Sequence, residues 1–121
     1  MYDKNNIFAK IIRGEIPAEK IYEDDQVLAI KDAYPIAPVH VLVIPKKEFK
    51  SFDDFIGKAT TEEIAHFFKI VHQVCASLNL SEEGYRILSN VGKHGRQTVF
   101  HMHLHILAGK DLSNLDKSSL R

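Results

Sequence analysis

The sequence predicts a single α+β domain, and three observations predict it. Five runs read as strands, and neighbours in sequence are joined by links suited to a five-stranded antiparallel meander. One segment, roughly Thr61 to Asn79, carries apolar residues at helical spacing and is the one long helix. A short helix precedes the strands, and helices gathered on one side of an antiparallel sheet define the class. At 121 residues the chain makes one domain, 1–121, with a core of useful size.

The elements follow in order. Asn6 or Asp3 caps the first helix, in which Ile7, Phe8, Ile11 and Ile12 form one apolar face. Lys10 and Arg13 suit its C-terminal dipole, Gly14 suits a left-handed C′ position, and Pro17 prevents continuation. Ile21-Tyr22 and Val27 to Ile30 are strands separated by the polar turn Glu23 to Gln26, and Lys31 and Asp32 end the second. Tyr34 to Pro38 is a loop, because each proline pushes its predecessor out of helical space. Val39 to Ile44 is nearly all apolar, as a central strand covered on both faces must be. His40 shares a face there with Leu42 and Ile44 and is the only polar side chain in the run.

Ser51 and Asp54 have capping-box spacing and start a helical turn ending near Gly57. Thr60 with Glu63 repeats that signal ahead of Ile64, Phe67, Phe68, Val71, Val74, Cys75 and Leu78, the apolar stripe of the long helix. Tyr85 to Ser89 is a strand, and Asn90 to Gln97 a polar loop with two glycines. The last strand, Thr98 to Gly109, has His101, His103 and His105 on one face and Phe100, Met102, Leu104 and Ile106 directed into the core. The tail after Lys110 has few apolar residues and is expected to be loosely ordered.

Sixteen basic and sixteen acidic residues cancel, so the charge balance speaks against wrapping nucleic acid or adhering to an anionic membrane. Cys75 has no partner for an internal disulfide, and MYDKNN lacks a signal-peptide pattern. No apolar run approaches the roughly 20 residues of a membrane span. A reducing cytoplasm is the default location.

Three imidazoles on one strand face need a chemical reason. Metal binding is one: two could share an ion, with His40 as a third ligand, but a rise of about 3.3 Å per residue sets His101 and His105 about 13 Å apart. Nucleophilic catalysis is another, since a neutral imidazole can attack phosphorus and form a covalent phosphohistidine. His103 is the candidate, being flanked on both sides. The preceding loop suits a phosphate, because Gly92 and Gly95 let amides approach while Lys93 and Arg96 add charge. His66 and His72 fall on the polar side of the long helix, and His94 lies in the loop.

The run His101-Met102-His103-Leu104-His105-Ile106-Leu107 resembles the signature of the histidine triad (HIT) family of nucleotide hydrolases and transferases. Phe8-Ala-Lys-Ile-Ile-Arg-Gly-Glu-Ile-Pro-Ala18, Ala37-Pro-Val-His-Val-Leu-Val-Ile-Pro-Lys46, Gly84-Tyr-Arg86 and Gln97-Thr98-Val99 resemble its HinT-like branch, and the likeness runs from Ile7 to Gly109. The resemblance implies a homodimer whose two sheets join into one of ten strands. It implies hydrolysis of purine nucleoside 5′-phosphoramidates, AMP joined to ammonia or a lysine-type amine, through a nucleotidyl-histidine intermediate. A dinucleoside polyphosphate hydrolase and a nucleotide-binding regulatory module are the alternatives.

Carried onto this chain, the resemblance makes His103 the nucleophile and His40, His101 and His105 its supports, with Thr98 beside the leaving group. Asn90 and Gln97 become phosphate-side contacts, Asp32 the ribose ligand, and Ile7, Phe8 and Ile16 the walls of the base pocket. From the residues alone, those three serve equally as core, and Asp32 as a solvated strand end. No cofactor or metal is implied, because the zinc-binding cysteines of some relatives have no counterpart near Asn5 to Ala9. Arg96 stands where the family commonly has a second glycine, and the tail lacks the tryptophan many relatives place near the site.

Overall fold

The computed structural model describes all residues, Met1–Arg121. Its elements are α1 (Ile7–Ile12), β1 (Lys20–Glu23), β2 (Val27–Lys31), β3 (Val39–Pro45), α2 (Phe52–Lys58), α3 (Thr61–Ser77), β4 (Arg86–Leu88) and β5 (Leu104–Ala108). The expected helix starts carry the structure. Asn6 accepts from the Ala9 amide, Ser51 from the Asp54 amide, and Thr60 and Glu63 form a complete capping box. There are thus two short helices beside the long one, where the fold class anticipated one.

All five strands pair antiparallel, in the order β1-β2-β3-β5-β4. This departs from a meander in one place, because β5 lies between β3 and β4. Burial explains the exchange. Every residue of β5 is buried, whereas Arg86 and Ile87 of β4 are exposed, so the apolar strand takes the interior and the other the edge.

The expectation of helices on one side also fails. Val27, Ala29, Val41, Val43, Leu104 and Ile106 point into one core with Phe55 of α2 and Phe67, Val71 and Val74 of α3. On the opposite face Leu28, Ile30, Leu42 and Ile44 pack against Phe8 and Ile11 of α1. Strands apolar on both faces need two covers, and the six-residue α1 is the second.

The histidine run is less regular than its alternation suggests. The β5 ladder begins only at Leu104, so His101 to His103 precede it, and the Met102 amide donates to the Phe49 carbonyl at 2.7 Å. Alternation holds from Met102 onward, but Phe100, expected in the core, is 48% exposed. The tail, expected to be loosely ordered, returns to the body. Leu120 is buried, and the Thr98 amide donates to the Arg121 carbonyl at 3.1 Å.

Candidate active site

Four imidazoles converge where β3 and β5 pair beneath α1. His40 comes from β3, His105 from β5, and His101 and His103 from the segment leading into β5. All four are buried, as is Asp32 just beyond the end of β2. The Asp32 amide donates to the His40 carbonyl at 2.9 Å, which sets the carboxylate beside that ring.

Hydrogen bonds assign a proton to each ring. The Ile36 amide donates to His40 Nδ1 at 3.1 Å, so His40 carries its proton on Nε2. That nitrogen is 2.9 Å from His105 Nδ1 and 3.3 Å from Asp32 Oδ2. His105 Nδ1 therefore accepts, and its proton sits on Nε2. His103 has the opposite tautomer, because its Nδ1–H donates to the His101 carbonyl at 2.6 Å. Its Nε2 is a bare lone pair.

The two remaining atoms, His103 Nε2 and His105 Nε2, are buried and have no partner. One is a base lone pair and the other an N–H donor, on rings whose centres are 5.2 Å apart. Together they offer a lone pair and an N–H donor, a couple that can act on a group bearing both an electrophile and an anionic oxygen. Burial pushes the His103 imidazole down to about 4, against the pull of its bond to the His101 carbonyl. Burial, then the neighbouring His103 and His40, pushes His105 down to about 3. Burial also lowers His40, with Asp32 opposing, and lowers His101, with its bond to the Pro45 carbonyl opposing. The cluster is accordingly neutral at physiological pH, as a nucleophile requires.

The other expected site residues are distributed unevenly. The Phe8 ring meets His103 edge to face, with centres 4.7 Å apart. Ile16 is half-buried beside the Phe8 cluster, and Ile7 is 37% exposed. Asn90 is half-buried and lines a recess with His94, Arg96 and Leu120, while Thr98 is exposed.

Gln97, expected to contact phosphate, is buried with its side chain bonded to backbone groups. Its Nε2 donates to the Lys50 and Val99 carbonyls at 2.7 and 3.0 Å, and its Oε1 accepts from the Gly92 amide at 3.0 Å. Arg96 takes φ +60°, a left-handed backbone that a glycine would adopt more easily. At Gly95 a Cβ would lie 2.5 Å from the Val91 carbonyl oxygen, so glycine is required there.

Asp32, His40 and His105 could hold a metal, their ligand atoms lying within 4.8 Å of one another. His40 Nε2 and His105 Nδ1 are, however, joined by one proton, which a cation would have to displace. The remaining histidines stand apart: His66 bonds Asp24 at 2.7 Å, and His72 and His94 are exposed.

Two residues with no motif in the sequence enter the site. Arg121 bonds Asp32 Oδ1 at 3.2 Å, and its guanidinium carbon lies 5.1 Å from the centre of the Phe8 ring. Tyr2 bonds His101 Nδ1. Neither belongs to a periodic element, so nothing local in the sequence marked them.

A two-faced antiparallel sheet carrying this histidine cluster defines the class of histidine triad domains. The HIT domain family model matches residues 13–112, and the chain belongs to that family. An uncharacterised HIT-like protein of Rickettsia prowazekii is 51% identical over 115 residues, spanning 95% of this chain and 96% of the relative. Among solved structures, a HIT family hydrolase from Clostridium thermocellum superposes with a TM-score of 0.84 at 40% identity, covering 92% of this chain and 96% of its own. A histidine triad nucleotide-binding protein from Candida albicans has a TM-score of 0.81 at 31% identity, covering 93% and 80%.

Proposed function

We propose that this chain is a purine nucleoside phosphoramidase of the HinT-like branch, a hydrolase acting through a nucleotidyl-histidine. The observation that carries the reading is the unpartnered pair formed by the His103 Nε2 lone pair and the His105 Nε2–H. The names of the Clostridium thermocellum hydrolase and the Candida albicans nucleotide-binding protein agree with it.

In the first step His103 Nε2 attacks phosphorus, a nitrogen–phosphorus bond forms, and the bond from phosphorus to the leaving amine breaks. The amine departs carrying a proton taken up from water, with Thr98 assigned to the leaving-group side. Water then attacks the same phosphorus and releases the nucleoside monophosphate, leaving His103 as the free base. The His105 Nε2–H holds a phosphoryl oxygen as its charge grows, an interaction of the kind worth about 10²- to 10³-fold in rate. His40 orients His105, and His101 orients His103. Phe8, with Ile7 and Ile16, takes the purine, Asp32 takes the ribose hydroxyls, and Asn90 with the Gln97-braced loop borders the phosphate.

No helix is long and apolar enough to cross a membrane. The β4 edge, with Ile87 46% exposed, fits a homodimer in which two sheets join edge to edge, and sedimentation at micromolar concentration tests that pairing.

The deciding experiment incubates the protein in excess chelator with an adenosine 5′-phosphoramidate labelled in its AMP part, followed by an acid-free quench. Label on His103 is expected, together with loss of turnover in His103→Ala. Full turnover by that variant, or faster turnover of dinucleoside polyphosphates, overturns the reading.

A further inference from the structure

His101 to His103 lie outside the β5 ladder, so the sheet does not hold the backbone that orients the nucleophile. Other bonds must. The peptide unit between His101 and Met102 is anchored at its N–H by the Phe49 carbonyl at 2.7 Å, and its own carbonyl takes the His103 Nδ1–H at 2.6 Å. A tilt of that unit would weaken the bond that keeps His103 in its Nε2-lone-pair tautomer.

The His101 side chain, which leaves the chain next to that unit, is held at both of its ring nitrogens. The ring is fully buried, and its Nε2–H donates to the Pro45 carbonyl at 2.7 Å. Nδ1 is then an acceptor, and the donor it meets is the Tyr2 hydroxyl at 2.5 Å. The two rings also pack edge to face, with centres 5.6 Å apart and planes at 69°. Tyr2 is half-buried and arrives from the segment ahead of α1, 99 residues away in sequence from the ring it meets.

We propose that Tyr2 is a positioning residue for the reaction: by donating to His101 Nδ1 it holds that ring in one tautomer, and through the His101 carbonyl it keeps the His103 lone pair on Nε2. Its proton is lent in a hydrogen bond and is not transferred. That His103 is the attacking group rests on the function proposed above, whereas the tautomer of His103 is observable without any substrate. The hydroxyl is needed because a buried ring nitrogen left without a donor is costly, and the ring relieves that cost by turning.

The test compares wild type with Tyr2→Phe, which keeps the ring and its edge contact and removes only the donor. Long-range proton–nitrogen spectra of the imidazoles at pH 7 read the tautomers. Wild type is expected to show His101 protonated at Nε2 and His103 at Nδ1, each as a single species. In Tyr2→Phe, His103 becomes a mixture, and kcat for an adenosine phosphoramidate falls about tenfold while KM stays within twofold.

A folded Tyr2→Phe with an unmixed His103 overturns the proposal, whether or not kcat falls, since a loss of rate alone would be structural. If the variant fails to fold, wild type still decides, because His101 found protonated at Nδ1 overturns it. A mixed His103 in the variant, with a wild type inactive toward phosphoramidates, upholds the positioning role and refutes the substrate reading instead.

Discussion

Arg121 bonds the carboxylate of Asp32 at 3.2 Å, although 89 residues separate the two in sequence. Asp32 Oδ1 also accepts from the Tyr34 amide at 2.8 Å, and Oδ2 faces His40 at 3.3 Å, so Arg121 is the partner most easily exchanged. Its guanidinium covers Phe8 as well, which places the tail over both residues assigned to the nucleoside. A ribose that engages Asp32 through Oδ1 displaces it. Loss of a partly exposed ion pair is worth about 1 kcal/mol. Arg121→Ala is therefore expected to lower KM for an adenosine phosphoramidate roughly fivefold with kcat unchanged, as initial rates over a range of substrate concentrations will show; a raised KM refutes competition by the tail.

His40→Ala removes the donor that keeps the proton of His105 on Nε2. The His105 ring is then free to carry its proton on Nδ1, and the phosphoryl oxygen loses its donor. A fall in kcat of about 10²-fold is expected, in keeping with other lost oxyanion donors, with a much smaller change in KM. Steady-state kinetics check this, and a fall confined to KM would reassign His40 to binding.

The buried histidines give the fold a pH dependence of definite sign. His103 and His105 are held at about 4 and about 3 in the folded chain, against an ordinary value of 6.5. Above pH 6.5 both folded and unfolded chains hold them neutral. As pH falls from 6.5 toward 4 the unfolded chain takes protons that the folded chain refuses, so stability declines across that window. Melting temperature should drop steadily from pH 7 to pH 5, and drop less in His105→Gln. The acid limb of kcat/KM due to His103 should lie near pH 4, and a limb at 6.5 belonging to His103 would contradict its burial.

Two adjacent loop positions should respond in opposite directions. Arg96 at φ +60° bears left-handed strain of about 1–2 kcal/mol, partly offset by the greater freedom that glycine gives the unfolded chain. Arg96→Gly is expected to stabilise by about 0.5–1 kcal/mol in urea unfolding. Gly95→Ala drives a Cβ against the Val91 carbonyl, 2.5 Å away, and should destabilise by about 1–3 kcal/mol. Equal midpoints for both variants would mean that the loop relaxes freely.

Much of this molecule is legible in its sequence. Helix starts at Asn6, Ser51 and Thr60 could be read because a cap joins residues within one turn. The core side shared by Met102, Leu104 and Ile106, and the isolation of His40 in an apolar strand, followed from the two-residue period of extended chain. Where that period stopped, the reading failed: Phe100 lies beyond the ladder, in a segment whose next amide bond goes to Phe49.

The sequence by itself determined the helix starts, the apolar runs of the strands and the alternation of the histidines with core residues, since each depends on neighbours within a few positions. Only the tertiary structure decided that β5 inserts beside β3, that Gln97 braces the loop, and that Tyr2 and Arg121 reach His101 and Asp32. Those pairings join residues tens of positions apart, and a hydrogen bond across such a gap leaves no periodic trace in the chain.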